Sequence, residues 1–267
     1  MAKIKALTLN PELRLLVQQL AYELKYAAKS LSKKEWLALF VKTLRGAGIK
    51  TVKPKINGIK SIGRYLSKKT KMYINNPKRV AVEDALRIKK TIAELPKNIR
   101  IKVKQFQTLS TKEKCESALV AAISLLIFFA AMGGMDAEGG LPDLDIKIGG
   151  IGFHRHWSSH SIVLGFGIEF ALRFILLFLL AVYSQLPETH HSIWDSIRNI
   201  VQKTEKYGIA AVWMAVGAHL FKDASLFSGS TKPVVGLFGS HSMEFHQSFF
   251  ATNAAVAEAI GIKSARI

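Results

Sequence analysis

Apolar positions along this chain begin at amphipathic helical spacing and later gather into long unbroken runs. Leu13, Leu16, Leu20, Leu24 and Ala27 recur at three- and four-residue intervals, which predicts a helix with one apolar face over residues 10–30. Asn10-Pro11 opens it as an N-cap followed by proline at the first helical position, where the missing N–H would have no partner anyway. Ser32 with Glu35 forms a capping-box pattern and opens a second helix carrying Trp36, Leu39 and Phe40. That helix is expected to end near Gly46 and Gly48, because residues 49–75 mix Lys, Ile and Gly without a clear period. Asn76-Pro77 predicts a further start, with a helix running to about Leu95 before Pro96. From Ile99 to Phe106 the pattern alternates, which fits either a short strand or a connector.

Beyond Ser110, whose pairing with Glu113 is another capping-box pattern, the character changes. Ala118 to Gly134 is apolar over about the length a bilayer requires. Ile162 to Tyr183 is a second run of 22 residues, broken only by Glu169 and Arg173. Four apart, that pair can meet on one helix face, and an ion pair inside a span faces protein or water rather than lipid. Gly208 to Phe221 is a shorter third segment, and alanine-rich Phe249 to Ile262 a weak fourth. Such short segments suit burial inside a bundle as well as full spans.

Charge sharpens this division. Residues 1–115 hold 28 Lys and Arg against 7 Asp and Glu, whereas residues 116–267 hold 10 against 12. The expected fold is therefore all-α: a basic, mainly helical cytoplasmic domain over 1–109, then a membrane-embedded helical domain of three to four apolar helices over 110–267. The positive-inside rule keeps the basic half in the cytoplasm and makes this a multi-pass protein of an inner or plasma membrane. Excess lysine attracts phosphate, on nucleic acid or on anionic lipid head groups, unless it serves only as a solvated surface. Gly63-Arg64-Tyr65 and Lys68 to Lys71 interleave base with aromatics, but no nucleic-acid motif accompanies them. One cysteine, Cys115, excludes an internal disulfide framework and a cysteine-rich zinc module. Residues 1–30 lack the apolar core and cleavage site of a secretory signal.

All eight histidines lie at or beyond His154. The alternating topology brings three polar stretches to one membrane face. Gly140-Leu-Pro-Asp-Leu-Asp145 holds Asp143 and Asp145 beside a proline-fixed bend, and close carboxylates repel unless a cation or proton sits between them. FHRHWSSHS, residues 153–161, carries His154, His156 and His160, the last two at a spacing that lets two imidazoles grip one ion on a helix. Gly217-Ala-His-Leu-Phe-Lys-Asp223 offers His219 and Asp223 at the same spacing. A fourth patch contains His241, Glu244 and His246. Mixed imidazole and carboxylate donors suit a divalent transition metal, zinc first and manganese or iron after it. Each histidine could instead bond only a backbone carbonyl. His190 and His191 fall on the opposite face and read as structural. Trp157 fits packing at the membrane interface.

The order LPDLD, then HR…HS, then GAHLFKD resembles the inner-membrane metal-dependent hydrolases of the LexA-binding, YdjM-type family over about residues 112–238. That family shows Leu-Pro-Asp-x-Asp-His, His-Arg-Gly-x-Thr-His-Ser and Gly-x-x-x-His-x-x-x-Asp between apolar helices, and is distantly similar to zinc-dependent phospholipase C and single-strand nucleases. The resemblance implies metal ligation by Asp143, Asp145, His160, His219 and Asp223. This chain departs from the pattern in three places. His154 and Arg155 stand one residue too far from His160, so His154 and His156 compete for one role. Ile146 replaces the histidine expected after Asp145. The histidine expected at the start of the first apolar helix is absent, with Glu116 a substitute carboxylate; His241 and His246 are further candidates.

Two functions follow as expectations. One is a membrane-embedded metal-dependent hydrolase acting on a phospholipid or nucleotide-type phosphoester, with activated water as nucleophile and Arg155 steadying the anionic substrate. The other is a non-enzymatic, membrane-tethered protein whose basic half binds nucleic acid or a protein partner, its His/Asp cluster structural or catalytically dead. A metal or proton conduit through Glu169 and Arg173 is a third possibility.

Overall fold

A computed structural model describes residues 10–135, 139–150, 154–225, 233–237 and 240–266, with only some of the side chains between 58 and 95. Phe153 of the histidine stretch, and the side chains of Tyr65, Lys69 and Arg266, lie outside the described residues. Eight helices follow one another there: α1 Pro11–Lys29, α2 Lys33–Asn75, α3 Pro77–Gln107, α4 Thr111–Met132, α5 Leu144–Gly149, α6 Ile162–Tyr183, α7 Ile193–Ala224 and α8 Met243–Arg266. The one β feature among them is an isolated bridge between His156 and Val235.

The helix starts follow their local chemistry. Asn10 accepts from the Glu12 amide, and complete capping boxes form at Ser32/Glu35 and Ser110/Glu113. The ends depart from the sequence reading. α2 passes through Gly46, Gly48 and Pro54 to Asn75, and α3 passes through Pro96 to Gln107, so Ile99 to Phe106 is helical rather than a strand. Glycine and proline lower helix propensity by only about 1 and 3 kcal/mol respectively, which favourable packing can offset.

That packing also ties α1 and α2 of the basic half to the later helices. Phe40 packs edge-on against Phe174, at 5.0 Å between ring centroids, and Trp36 lies near Phe178. Further along, Lys55 Nζ reaches Glu169 Oε1 at 2.6 Å. Glu23 of α1 is buried and accepts from the His191 amide and the Trp194 indole at the start of α7. The first turns of the basic half are thus built into the same helical assembly as α6 and α7. Charge counted per segment does not register these long-range pairs, and α1 and α2 still expose apolar residues such as Leu15, Tyr22 and Leu37.

α4 and α6 are long and apolar enough to cross a membrane. Only 17% of the apolar window in each is buried inside the protein, and Leu119, Leu125, Leu126, Ile175 and Leu179 are exposed. α7, which contains the expected third segment, is instead the central helix. Its Ile209, Val212, Trp213, Val216 and Leu220 are almost wholly buried, and α8 joins it around Phe250, Ala254 and Ala257. The described chain packs α7 between α4, α6 and α8.

One end of this assembly gathers the C-termini of α4 and α7, the N-terminus of α6 and short α5. Asn253 of α8 accepts from the Ile162 amide and thereby ties down the start of α6.

Candidate metal centre

The first ligand-bearing loop is pressed against the end of α4. Gly133 ends α4 in the left-handed region, and the Leu141 amide donates to Ala130 O at 3.2 Å. Gly140, at φ 68°, has room for no side chain: a Cβ there would meet the Gly133 Cα at 2.5 Å. This close seat delivers Asp143 and Asp145, at the start of α5, to the bundle end.

The second loop is held by a two-residue bridge. Val235 N donates to Arg155 O and Trp157 N to Val235 O, both at 3.1 Å. Arg155 occupies the left-handed region at φ 66°, a conformation that costs a non-glycine residue about 1–3 kcal/mol. Its Nε donates to Asp223 Oδ1 at 3.2 Å, so the strained residue is fastened on both backbone and side chain. The twist also separates its neighbours. His154 turns toward the aspartates, whereas the His156 ring lies against Gly236 and bonds Ser158.

Asp143, Asp145, His154, His160, His219 and Asp223 therefore converge, and their heteroatoms are arranged in a consistent way. One atom of nearly every residue is anchored, and another is left over. Asp143 Oδ2 accepts from the Gly139 amide. Asp145 Oδ2 accepts from Ser159 Oγ at 2.6 Å and the His156 amide at 3.2 Å. His219 Nδ1 pairs with Met132 O at 2.9 Å, and His160 Nδ1 sits 3.1 Å from Ser159 Oγ. Asp223 Oδ1 takes Arg155. Six atoms remain buried without a hydrogen-bond partner: Asp143 Oδ1, Asp145 Oδ1, His154 Nδ1, His160 Nε2, His219 Nε2 and Asp223 Oδ2.

These six atoms face one another. His160 Nε2 is 3.3 Å from Asp143 Oδ1 and 3.6 Å from Asp223 Oδ2, and His219 Nε2 is 3.3 Å from Asp223 Oδ2. His154 Nδ1 lies 3.5 Å from Asp143 Oδ1 and 3.7 Å from Asp145 Oδ1. Tetrahedral ligands about 2.0–2.1 Å from zinc stand roughly 3.3–3.4 Å from one another, which these separations approach. Two sets could hold an ion, Asp143 with His160 and His219, and Asp145 with His154 and His160. Each buried polar atom left unpaired costs about 1–3 kcal/mol, so six cost about 6–18 kcal/mol, as much as a typical domain's whole stability. Three carboxylates and one guanidinium leave two negative charges uncompensated when the histidines are neutral, which matches one divalent cation.

Protonation differs among the ligands: burial pulls the His219 pKa down, but the bond and charge of Asp223 with the Met132 carbonyl outweigh it and raise the group above the ordinary histidine value. Burial lowers the His160 pKa below the ordinary histidine value, against the opposing pull of Asp223, and so favours the neutral, ligating imidazole. Burial pushes the Asp145 carboxyl upward, but the bonds from Ser159 and the His156 amide together with nearby His160 outweigh it and hold the group below the usual carboxylate range.

Several expected participants stand elsewhere. His156 faces its own loop. Glu116 pairs with Lys203 at 3.2 Å and sits sixteen residues before Met132 on α4, about 24 Å along the helix axis. His246 accepts from the Val234 amide, and His241 stacks on Phe245; neither joins the two metal-capable sets. His190 and His191 brace the α6–α7 turn at the opposite end of α6, with His190 Nδ1 2.8 Å from Pro187 O. Trp157 is partly exposed beside the loop bridge. Ser159 and Met132 were missed by sequence reasoning. Ser159 adjoins the final histidine, a detectable signal, but a backbone carbonyl leaves no trace in residue identity.

No protein-family model, curated protein or solved structure matches this chain.

Proposed function

We propose that the protein is a membrane-embedded, metal-dependent hydrolase of phosphoesters. What carries this reading is the set of six buried, unpartnered donor atoms aimed at one another, five of the six residues steadied through another atom. Asp143, His160, His219 and Asp223 would hold a divalent ion, with zinc favoured by the donor set and spacing, and Asp145 and His154 would complete it or hold a second. Such an ion supplies Lewis acidity and lowers the pKa of water toward neutrality. The chain's own part is to orient. Ser159 and the Met132 carbonyl fix ring and carboxylate directions, and Arg155, while bound to Asp223, keeps guanidinium donors able to bind an anionic substrate oxygen. The exposed leucines of α4 and α6 support placement in a bilayer, and the basic N-terminal half supports a cytoplasmic N-terminus.

Purified protein should carry stoichiometric transition metal and cleave bis(p-nitrophenyl) phosphate or a phospholipid in a chelator-sensitive manner. Wild-type protein that is metal-free and takes up none of zinc, manganese or iron would sink the reading. One observation favours the non-enzymatic alternative: Lys53, Lys60, Lys68, Lys89, Lys97 and Lys104 are exposed along α2 and α3. In that case the full chain in nanodiscs should bind DNA or RNA with a steep salt dependence, and alanine at His160 should leave that binding unchanged.

A further inference from the structure

We propose a second ligand site, for a phosphate-type anion, in the cavity of about 380 Å³ between α2, α6 and α7. Lys50, Lys55, Arg173, Lys206, Glu205 and Ser264 line it, four cations against one carboxylate. Glu169, just behind Lys55 and fully buried, is already committed: Oε1 takes Lys55 and Arg173, and Oε2 takes the Trp213 indole. Glu205 Oε1 likewise receives both Arg173 Nη1 at 2.6 Å and Lys50 at 2.9 Å. Three cations thus share two carboxylates. Lys206, whose described interaction is with the Tyr207 ring, makes no ion pair among the described residues. Counting Glu169, the cluster still carries two uncompensated positive charges.

Lys203 on the same stretch of α7 pairs with Glu116, two residues before the apolar run of α4 begins at Ala118. The cavity lies about 20 Å along α7 from His219, level with the middle of α6, where Arg173 is the twelfth of 22 residues. Lysine and arginine form charge-assisted bonds to phosphate oxygens. The shared chemistry is a phosphate mono- or diester anion, supplied by a phospholipid head group or by a soluble phosphate. This inference does not depend on the metal reading.

The test uses full-length protein in nanodiscs of equimolar phosphatidylcholine and phosphatidylglycerol, with retained lipid read by native mass spectrometry. Phosphatidylglycerol should be enriched at least tenfold, and a Lys50→Gln/Lys206→Gln double variant should fall to near parity. Arg173 still pairs Glu205 in that variant, and an unchanged helical circular dichroism spectrum would confirm that it is folded. His219→Ala should retain the enrichment, which separates failure here from failure at the metal centre. A thermal shift with inorganic phosphate alone, lost in the double variant, would support the anion site with a soluble source. Equal retention of both lipids together with no phosphate shift would overturn the proposal.

Discussion

Ser159→Ala is the most discriminating perturbation of the proposed centre, because it removes no ligand. Ser159 Oγ donates to Asp145 Oδ2 at 2.6 Å and lies 3.1 Å from His160 Nδ1. It therefore steadies His160, shared by both metal-capable sets, and Asp145 of the second, without being a ligand itself. Loss of such outer support weakens metal affinity by about 10–100-fold, or roughly 1.4–2.7 kcal/mol. Direct loss of His219, by contrast, deletes one of three donors gathered within 4.8 Å and leaves Met132 O without its ring partner. Competition titration of zinc against a chelator, alongside elemental analysis, should rank wild type above Ser159→Ala and Ser159→Ala above His219→Ala. His156→Ala should retain wild-type stoichiometry, since its ring lies against Gly236 rather than toward the aspartates. A folded Ser159→Ala protein with unchanged affinity would refute the orienting argument, and a His219→Ala protein with full metal would refute the centre itself.

Other expectations test the scaffold. Gly140→Ala forces a Cβ to 2.5 Å from Gly133 in a left-handed conformation, so the aspartate loop should shift and zinc affinity should fall even though no ligand changes. Glu169→Gln strips the carboxylate from under Lys55 and Arg173 and should cost about 3–5 kcal/mol, read as thermal unfolding in detergent; an unchanged midpoint would mean that the buried pair is not formed. Leu126→Lys places a charge on the exposed apolar face of α4, where a membrane span pays about 2.5–3.5 kcal/mol at its centre; insertion efficiency should drop, and undiminished insertion would argue against a lipid-facing surface.

Local chemistry alone determined much of this protein. Helix starts at Asn10, Ser32, Asn76 and Ser110 were legible because caps and N-terminal prolines act within one turn. The run from Ile162 to Tyr183 coincides with α6 because apolar continuity over that length leaves a chain little else to form. Asp143, Asp145, His160, His219 and Asp223 were singled out together by a resemblance to a family's motifs, and the structure brings them to one end of the bundle. Tertiary structure decided the rest. It joined the basic half to the bundle through Glu23, Phe40 and Lys55, whose partners lie more than a hundred residues away. It chose His154 over His156 through the twist at Arg155 and the bridge to Val235, which residue spacing could not express. Glu116 was set apart from the centre because a helix is rigid, and sixteen residues along α4 are a distance no side chain spans.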